Sequence, residues 1–459
     1  MSALLILLIA IPAAAATAAV LAFAAHPRLA AAYRFRLLTK DDGPAGTPMI
    51  RLPDQDIHGP VLEELFAHES ASHRGDTHAR RAIRHFHRPA NEHQENIDPD
   101  HPRYAELARA TFRALAVPRE EIVAMARRCT RQVLDDAWPP GTTSRVLRLM
   151  DLAVPISARL MFELAFSTTP THEQIALIGR SARNSMRTSK GLRPAGDAGA
   201  ALALLDLVRT TVTEHGGCPE IFGPDSTLDT TARAKHLQGV FFNTGVIQLS
   251  EGVCHTVLEA SRHPHVVERV AESDLRYLDH LLSEALRLYP LHATIQRLVA
   301  DDIPLSPAVT IPRGTQLLFD IGRHQRTGHT EPDAFDPQRW EQRGRADAGF
   351  VGFGLGLRKC PAERFSRTAA AVIVRELLST FAVHAPTRHT RGLEGGGLCC
   401  LTAYSSPAPA GFGFGLGFKK ALVRTRDQAE RVAVGAAQLV CLPLTARAVR
   451  RLPRDSGSA

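Results

Sequence analysis

Between about residues 101 and 290, segment after segment repeats its apolar residues at intervals of three and four. "YAELARATFRAL" (104–115), "REEIVAMARRCTRQVLDDA" (119–137), "LMDLAVPISARLMFELAF" (149–166) and "AALALLDLVRTTVTEH" (200–215) all do so. That period lines apolar side chains along one face of an α-helix. A long helix is expected over roughly 229–262 and a shorter one over 273–288. Strand-like pieces follow, "ATIQRLVAD" and "QLLFDIG", set apart by Pro and Gly turns. A further helix is expected over 361–380. No interior linker divides this stretch. The expected class is therefore mainly α with small β-sheets, in a single domain over about 45–405. A Gly/Pro-rich extension, 406–459, carries another helix near 424–451.

Residues 3–25 contain no charge, a length sufficient to cross a hydrocarbon layer about 30 Å thick as a helix. Arg28, Arg34, Arg36 and Lys40 follow it. Residues 1–27 are read as a single-pass amino-terminal anchor with the bulk of the chain in the cytoplasm. A cleaved signal peptide is the alternative, but "MS" supplies no positive start for one. The net charge of +8 suits acidic partners. No basic block is interleaved with aromatics, so nucleic acid is not expected as a partner. Seven cysteines, an odd number without CxxC spacing, form neither a disulfide framework nor a structural zinc site.

"FGLGLRKC" (353–360) returns as "FGLGFKKA" (414–421), and only the first copy ends in cysteine. The first copy, Phe353, Gly354, Leu355, Gly356, Leu357, Arg358, Lys359 and Cys360, resembles the haem-binding loop of the cytochrome P450 family. Two other segments resemble that family in the right order. "SEALRLYP" offers Glu284 and Arg287 as a Glu-x-x-Arg pair on one helical face. "FDPQRW" offers Arg339 as its downstream partner. A lone Glu-x-x-Arg carries little information; the ordered set carries much more. The resemblance spans roughly residues 45–405.

It implies haem b (iron protoporphyrin IX), with Cys360 as the iron's axial ligand. A thiolate ligand pushes electron density onto iron, and neighbouring backbone N–H groups tune it. Gly354 and Gly356 let the chain approach closely. By the same resemblance Arg358 and Arg297 meet the propionates, and Phe353 packs near the thiolate. "HPRYAELAR" is similar to a His-x-Arg-x-Arg element, making His101 and Arg103 further propionate candidates, with Ala105 where the second arginine would stand. Glu284, Arg287 and Arg339 are structural. The second copy, with Ala421 in the ligand position, is read as a turn in the tail or a helix lead-in, not a second haem site.

One departure bears on chemistry. In "FFNTGVIQLSEGV" the family's oxygen-helix pattern puts Thr244 and Gly245 over the haem, with Ile247 and Gln248 at its acid and alcohol positions. Isoleucine carries no proton. The Gln248 amide forms hydrogen bonds but does not titrate near neutral pH. Ser250 and Glu251 serve instead only if the helix bulges. The usual relay is thus expected to be absent, with Thr244, Gly245 and Gln248 lining the reaction site.

Three functions remain open. The first is a membrane-anchored monooxygenase that oxidises a lipophilic small molecule with electrons from a separate ferredoxin or flavoprotein reductase. Lys359, Arg364 and Arg367 are candidates for the docking face. The second keeps the fold but runs on peroxide, couples radicals or rearranges its substrate. The third is a non-catalytic membrane haem protein. The tail helix is read as packed against the domain, with an anionic membrane surface as the alternative partner.

Overall fold

The computed structural model describes residues 49–451, with Thr17, Ala18 and Tyr33, apart from 76–80, 82–83, 86–87, 91–92, 191–196, 307–308, 343, 345–348, 386–395 and 405–411. The anchor expected over 1–27 lies, except for Thr17 and Ala18, outside the described residues.

Helices dominate. The longer ones are α1 (Gly59–Ala67), α2 (Tyr104–Ala114), α3 (Arg119–Ala137), α4 (Met150–Phe166), α5 (His172–Ser189), α6 (Ala198–Glu214), α7 (Thr230–Leu237), α8 (Val246–Ala260), α9 (Pro264–Glu272), α10 (Leu275–Leu288), α11 (Glu363–Thr380) and α12 (Phe412–Arg450). Their starts follow from local chemistry. Thr171 and Gln174 form a reciprocal capping box on α5, and Asp229 and Asp274 accept backbone N–H groups at the starts of α7 and α10. Pro264 opens α9, where its missing N–H costs nothing.

The expected long helix exists in three parts. α7 passes into a π-helical stretch, Gln238–Gly245, and that into α8. At the junction Val246 N–H bonds to Phe241 O, five residues back. α8 is buried on nearly every side, as a helix enclosed by others is. It packs against α4, α10 and α11. Of its 15 residues only Gln248 is not buried.

Three small sheets complete the domain. β6 (Gln316–Asp320) pairs in parallel with β1 (Met49–Leu52) and antiparallel with β3 (Thr294–Leu298). β8 (Leu398–Ala403) lies between β2 (Ser144–Arg148) and β7 (Phe381–His384), antiparallel to both. β4 (Ile303–Ser306) and β5 (Val309–Ile311) form a hairpin. A satellite core of Leu52, Leu62, Phe66, Leu317, Phe319 and Val351 joins the first sheet to α1 and to the cysteine loop.

α12 begins earlier than the sequence suggests. The glycine-spaced second copy, Phe414–Ala421, expected as a tail turn or a helix lead-in, is the first part of the helix itself. Each glycine in a helix costs about 1 kcal/mol. Tertiary packing offsets that cost: Leu416 and Val423 dock on Val146, Leu398 and Cys400 of β2 and β8. Among the described residues, Gly415–Val449 is the one helix long and apolar enough to cross a membrane by length and composition.

Candidate functional site

The cysteine loop is a tight backbone coil. Gly354 and Gly356 sit at φ +71° and +61°, a region that L side chains rarely adopt. A Cβ on Gly356 would lie 2.1 Å from Ala67 O at the end of α1, so the loop's approach to α1 requires glycine there. Gly354 N–H donates to Val351 O (2.9 Å), Lys359 N–H to Gly356 O (3.0 Å) and Cys360 N–H to Phe353 O (2.7 Å). The sulfur is thereby held just before α11. Burial pushes the Cys360 thiol up to about 12, and the Glu95 carboxylate adds to this; the Ala362 amide and Lys359 oppose them. A cation at the sulfur is what would favour its thiolate.

Arginines converge behind the loop. Arg358 donates to Ser72 O (2.9 Å), Gln94 O (3.2 Å) and Ile97 O (2.8 Å), and pairs with Asp98 at 3.3 Å. Arg297, buried on β3, has its pKa lowered well below the usual range, first by burial and then by the charges of Arg74 and Arg358. Glu95 lies in the field of the same two arginines, its own pKa raised by burial. Three guanidiniums close together in a buried place suit an anionic ligand bearing carboxylates.

His101 and Arg103 were expected to share in this. Both are exposed, and His101 Nδ1 accepts only the backbone N–H of Arg103 among its resolved bonds (3.1 Å). Successive turns, His101 N–H to Asp98 O and Tyr104 N–H to His101 O, shape that segment. Asp98 and Tyr104, from the same stretch, bond the cysteine loop. Asp98 also accepts Arg74 N–H and Gly75 N–H. The Tyr104 hydroxyl donates to Leu357 O (3.2 Å), with the Arg358 guanidinium 5.5 Å from its ring centre. Buried His93 was also missed: a Cβ on Gly239 would fall 2.3 Å from its ring. Nothing in the sequence sets it apart from the other histidines.

Thr244 and Gly245 end the π-helical stretch. Thr244 is buried, and its hydroxyl has no protein partner among the described residues. A Cβ on Gly245 would press on Val240 O and Met161. Gln248 Nε2 lies 2.8 Å from His292 Nε2, on the loop after α10. Ser250 turns away, bonding Val246 O (2.6 Å), Ser157 Oγ (2.9 Å) and Ala153 O (3.1 Å). Glu251 forms a buried ion pair with Lys190. The helix does bulge, but before Val246, so the bulge does not bring Glu251 round.

Glu284 is the hub of a buried network. It accepts Arg287 Nε (2.9 Å) and Nη2 (2.8 Å), Arg339 Nε (3.0 Å), Trp340 Nε1 (3.1 Å) and Asp336 N–H (3.0 Å). Arg287 also donates to Pro332 O and Ala334 O. Both Glu284 and Arg287 are 0% exposed. The network ties α10 to the segment leading to the cysteine loop.

Among the described residues no group of three His, Cys, Asp or Glu side chains could hold a bare metal ion. A lone sulfur on a glycine coil, with arginines gathered nearby, fits a metal inside a carboxylate-bearing macrocycle, as haem is.

Comparison with known proteins agrees with this geometry. The fold is similar to that of a six-coordinated cytochrome P450 from Thermus thermophilus (TM-score 0.58, 20% identity, covering 78% of this chain and 93% of that one). It is also similar to the haem domain of cytochrome P450DA (TM-score 0.63, 17% identity, 81% and 90%). The cytochrome P450 family profile matches residues 235–398. Pentalenene oxygenase of Streptomyces avermitilis is 33% identical over 144 residues, 27% of this chain and 32% of its own length. Mitochondrial cytochrome P450 11B1 of Ovis aries is 30% identical over 150 residues, 28% and 29%. Taxoid 2-alpha-hydroxylase of Taxus canadensis is 32% identical over 144 residues, 30% and 29%. These sequence matches span about a third of each curated relative. In fold, and in sequence over residues 235–398, the chain is thus similar to the cytochrome P450 family.

Proposed function

We propose that this protein is a haem-thiolate monooxygenase acting on a lipophilic small molecule. The observation that carries the reading is the Phe353–Cys360 coil, which fixes one thiol before α11 near the buried guanidiniums of Arg297 and Arg358. Haem bound through a cysteine thiolate supplies an electron-rich iron that favours O–O cleavage. The chain's part is to hold and shield that group. Arg297, Arg358 and Arg74 balance its carboxylates; Phe353, partly buried against the main core, covers the sulfur from water. Thr244 and Gly245 form the opposite wall. Gln248, fixed by His292, holds a water or a polar substrate atom there. The names of the relatives, an oxygenase and a hydroxylase, support insertion of oxygen.

Electrons come from a separate carrier of ferredoxin or flavoprotein reductase type. Of the three cations expected to receive it, Lys359 and Arg364 are exposed. Arg367 is buried against Asp279 and Ser283, so it is unsuited to that task. Membrane attachment through residues 1–27 belongs to the same proposal.

A second reading, oxidation driven by peroxide, is favoured by one arrangement: Ile247 carries no proton and Glu251 is engaged by Lys190. Such an enzyme would not need the usual proton relay.

The test is the spectrum of the reduced protein with carbon monoxide. A far red-shifted Soret band, lost in Cys360→Ser while the far-ultraviolet dichroism persists, supports the assignment. A band at the wavelength of histidine-ligated haem would remove Cys360 as the ligand. Turnover with a reduced carrier and oxygen, set against turnover with peroxide alone, then separates the two readings. Full haem loading with no product from either route would favour the non-catalytic haem protein.

A further inference from the structure

α12 presents two different faces. One is attached to the domain along the helix's length. Lys419 Nζ donates to Ser144 O and Oγ (3.0 and 2.6 Å), Glu430 accepts from Arg148 (2.6 Å), and Gln438 donates to Lys190 O (3.1 Å). Val423, Leu442, Ala446 and Val449 are buried on that side.

The other face carries large apolar side chains in the open. Phe418 is 66% exposed, Leu422 47%, Val440 63% and Leu444 48%. At 3.6 residues per turn these four positions fall within about 80° of one another around the axis, and at 1.5 Å per residue they span about 39 Å. Exposed Ala429 and Ala433 continue the strip between them. Single exposed apolar residues are ordinary, but an aligned row is not. Of the exposed cations on this helix, Arg426 and Arg447 fall within the same arc, whereas Lys420 and Arg424 project from the far side. Over its whole length α12 has seven Lys or Arg against two acids, Asp427 and Glu430, and both acids are ion-paired to arginines.

We propose that this face of α12 docks the protein on an anionic lipid surface, with the helix lying in the plane of the membrane. An apolar row with Arg426 and Arg447 on its own face is the chemistry that binds the boundary between acidic headgroups and acyl chains. The helix has the length and apolar composition of a span. Its contacts with β2, β8 and the end of α5 decide against spanning, because crossing would strip all of them and carry Arg424, Arg426, Asp427, Glu430 and Arg431 into hydrocarbon. The proposal does not depend on haem or on the catalytic reading.

The test must isolate this face from the apolar residues 3–25, which are able to hold the full chain on vesicles by themselves. Tryptophan is placed on the row by Phe418→Trp and Leu444→Trp, and off it by Gln428→Trp. The full-length variants are bound to vesicles of phosphatidylcholine with phosphatidylglycerol, or of phosphatidylcholine alone, containing acyl-chain-brominated lipid. On anionic vesicles the emission added at 418 and at 444 should be quenched and that at 428 spared. The quenching should need about tenfold less anionic than neutral lipid and should fall with salt. Vesicle-bound protein with 418 and 444 unquenched would overturn the proposal. So would equal quenching on both vesicle types. Shielding of both positions without lipid, with a dimer in sedimentation, would assign the face to a second copy of the chain instead.

Discussion

Gln248 and His292 face each other at 2.8 Å, linking the only unburied position of α8 to the loop that follows α10. A hydrogen-bonded amide and imidazole thus stand at the position where the resemblance leads one to expect an alcohol. A single such bond is worth about 1 kcal/mol, so neither residue should matter much for folding. In Gln248→Ala and His292→Ala the melting temperature should move by only a few degrees. The fraction of electrons appearing in product, rather than as released peroxide, should change severalfold in both. Unchanged coupling in both variants would remove the pair from the reaction.

Glu284 should be the least replaceable carboxylate in the chain. Glu284→Ala leaves the fully buried Arg287 without its counter-charge, at a cost of about 3–5 kcal/mol. The urea midpoint should fall accordingly, and haem should be lost at denaturant levels the parent tolerates. Arg339→Ala removes a partner that is only mostly buried and should cost distinctly less.

Gly356→Ala is a small change with a large expected effect. The residue lies at φ +61° and its new methyl group would fall 2.1 Å from Ala67 O, a backbone atom that cannot swing aside. The coil or α1 must shift. Haem content after purification should drop severalfold, while Gly415→Ala, with open space around its Cβ, should leave it unchanged.

His236 makes stability fall in mild acid. It is fully buried, and burial lowers its pKa from the ordinary 6.5 to about 3. Thr111 donates its hydroxyl to Leu107 O, so His236 Nε2–H is the donor to Thr111 Oγ1 (3.1 Å). Between pH 6.5 and about 3 the unfolded chain binds a proton that the folded one refuses. Stability from this site is complete above pH 6.5 and declines as pH falls, by up to about 1.4 kcal/mol per unit. His236→Gln keeps a donor for Thr111 but does not titrate. The slope of unfolding free energy against pH between 6 and 4 should therefore be shallower in the variant.

The helical stretch from 101 to 290 was legible because each helix buries one stripe and so carries its period in the sequence. The Cys360 loop and the Glu284, Arg287 and Arg339 set were legible because turn geometry and charge pairing restrict the residues that serve. His101 and Arg103 were legible only as part of the resemblance, because their spacing alone does not say which way their side chains face. His93, His292 and Asp98 stayed hidden for a related reason. Each acquires its place only when elements distant in sequence pack together. The early start of α12 was obscured by glycines whose local preference is overruled by docking on β8.

The pairing of β2 with β8 also sets an order of events during synthesis. Ser144–Arg148 must wait for Leu398–Ala403, some 250 residues later, and α12 closes over both strands only after that. At about 5–20 residues per second the interval is roughly ten to fifty seconds. Throughout it the Cys360 coil is either still unmade or lies on an unfinished body. A prosthetic group taken up by this chain would therefore be captured late, by a nearly complete polypeptide, and a ribosome stalled before residue 398 should carry a chain that cannot retain it.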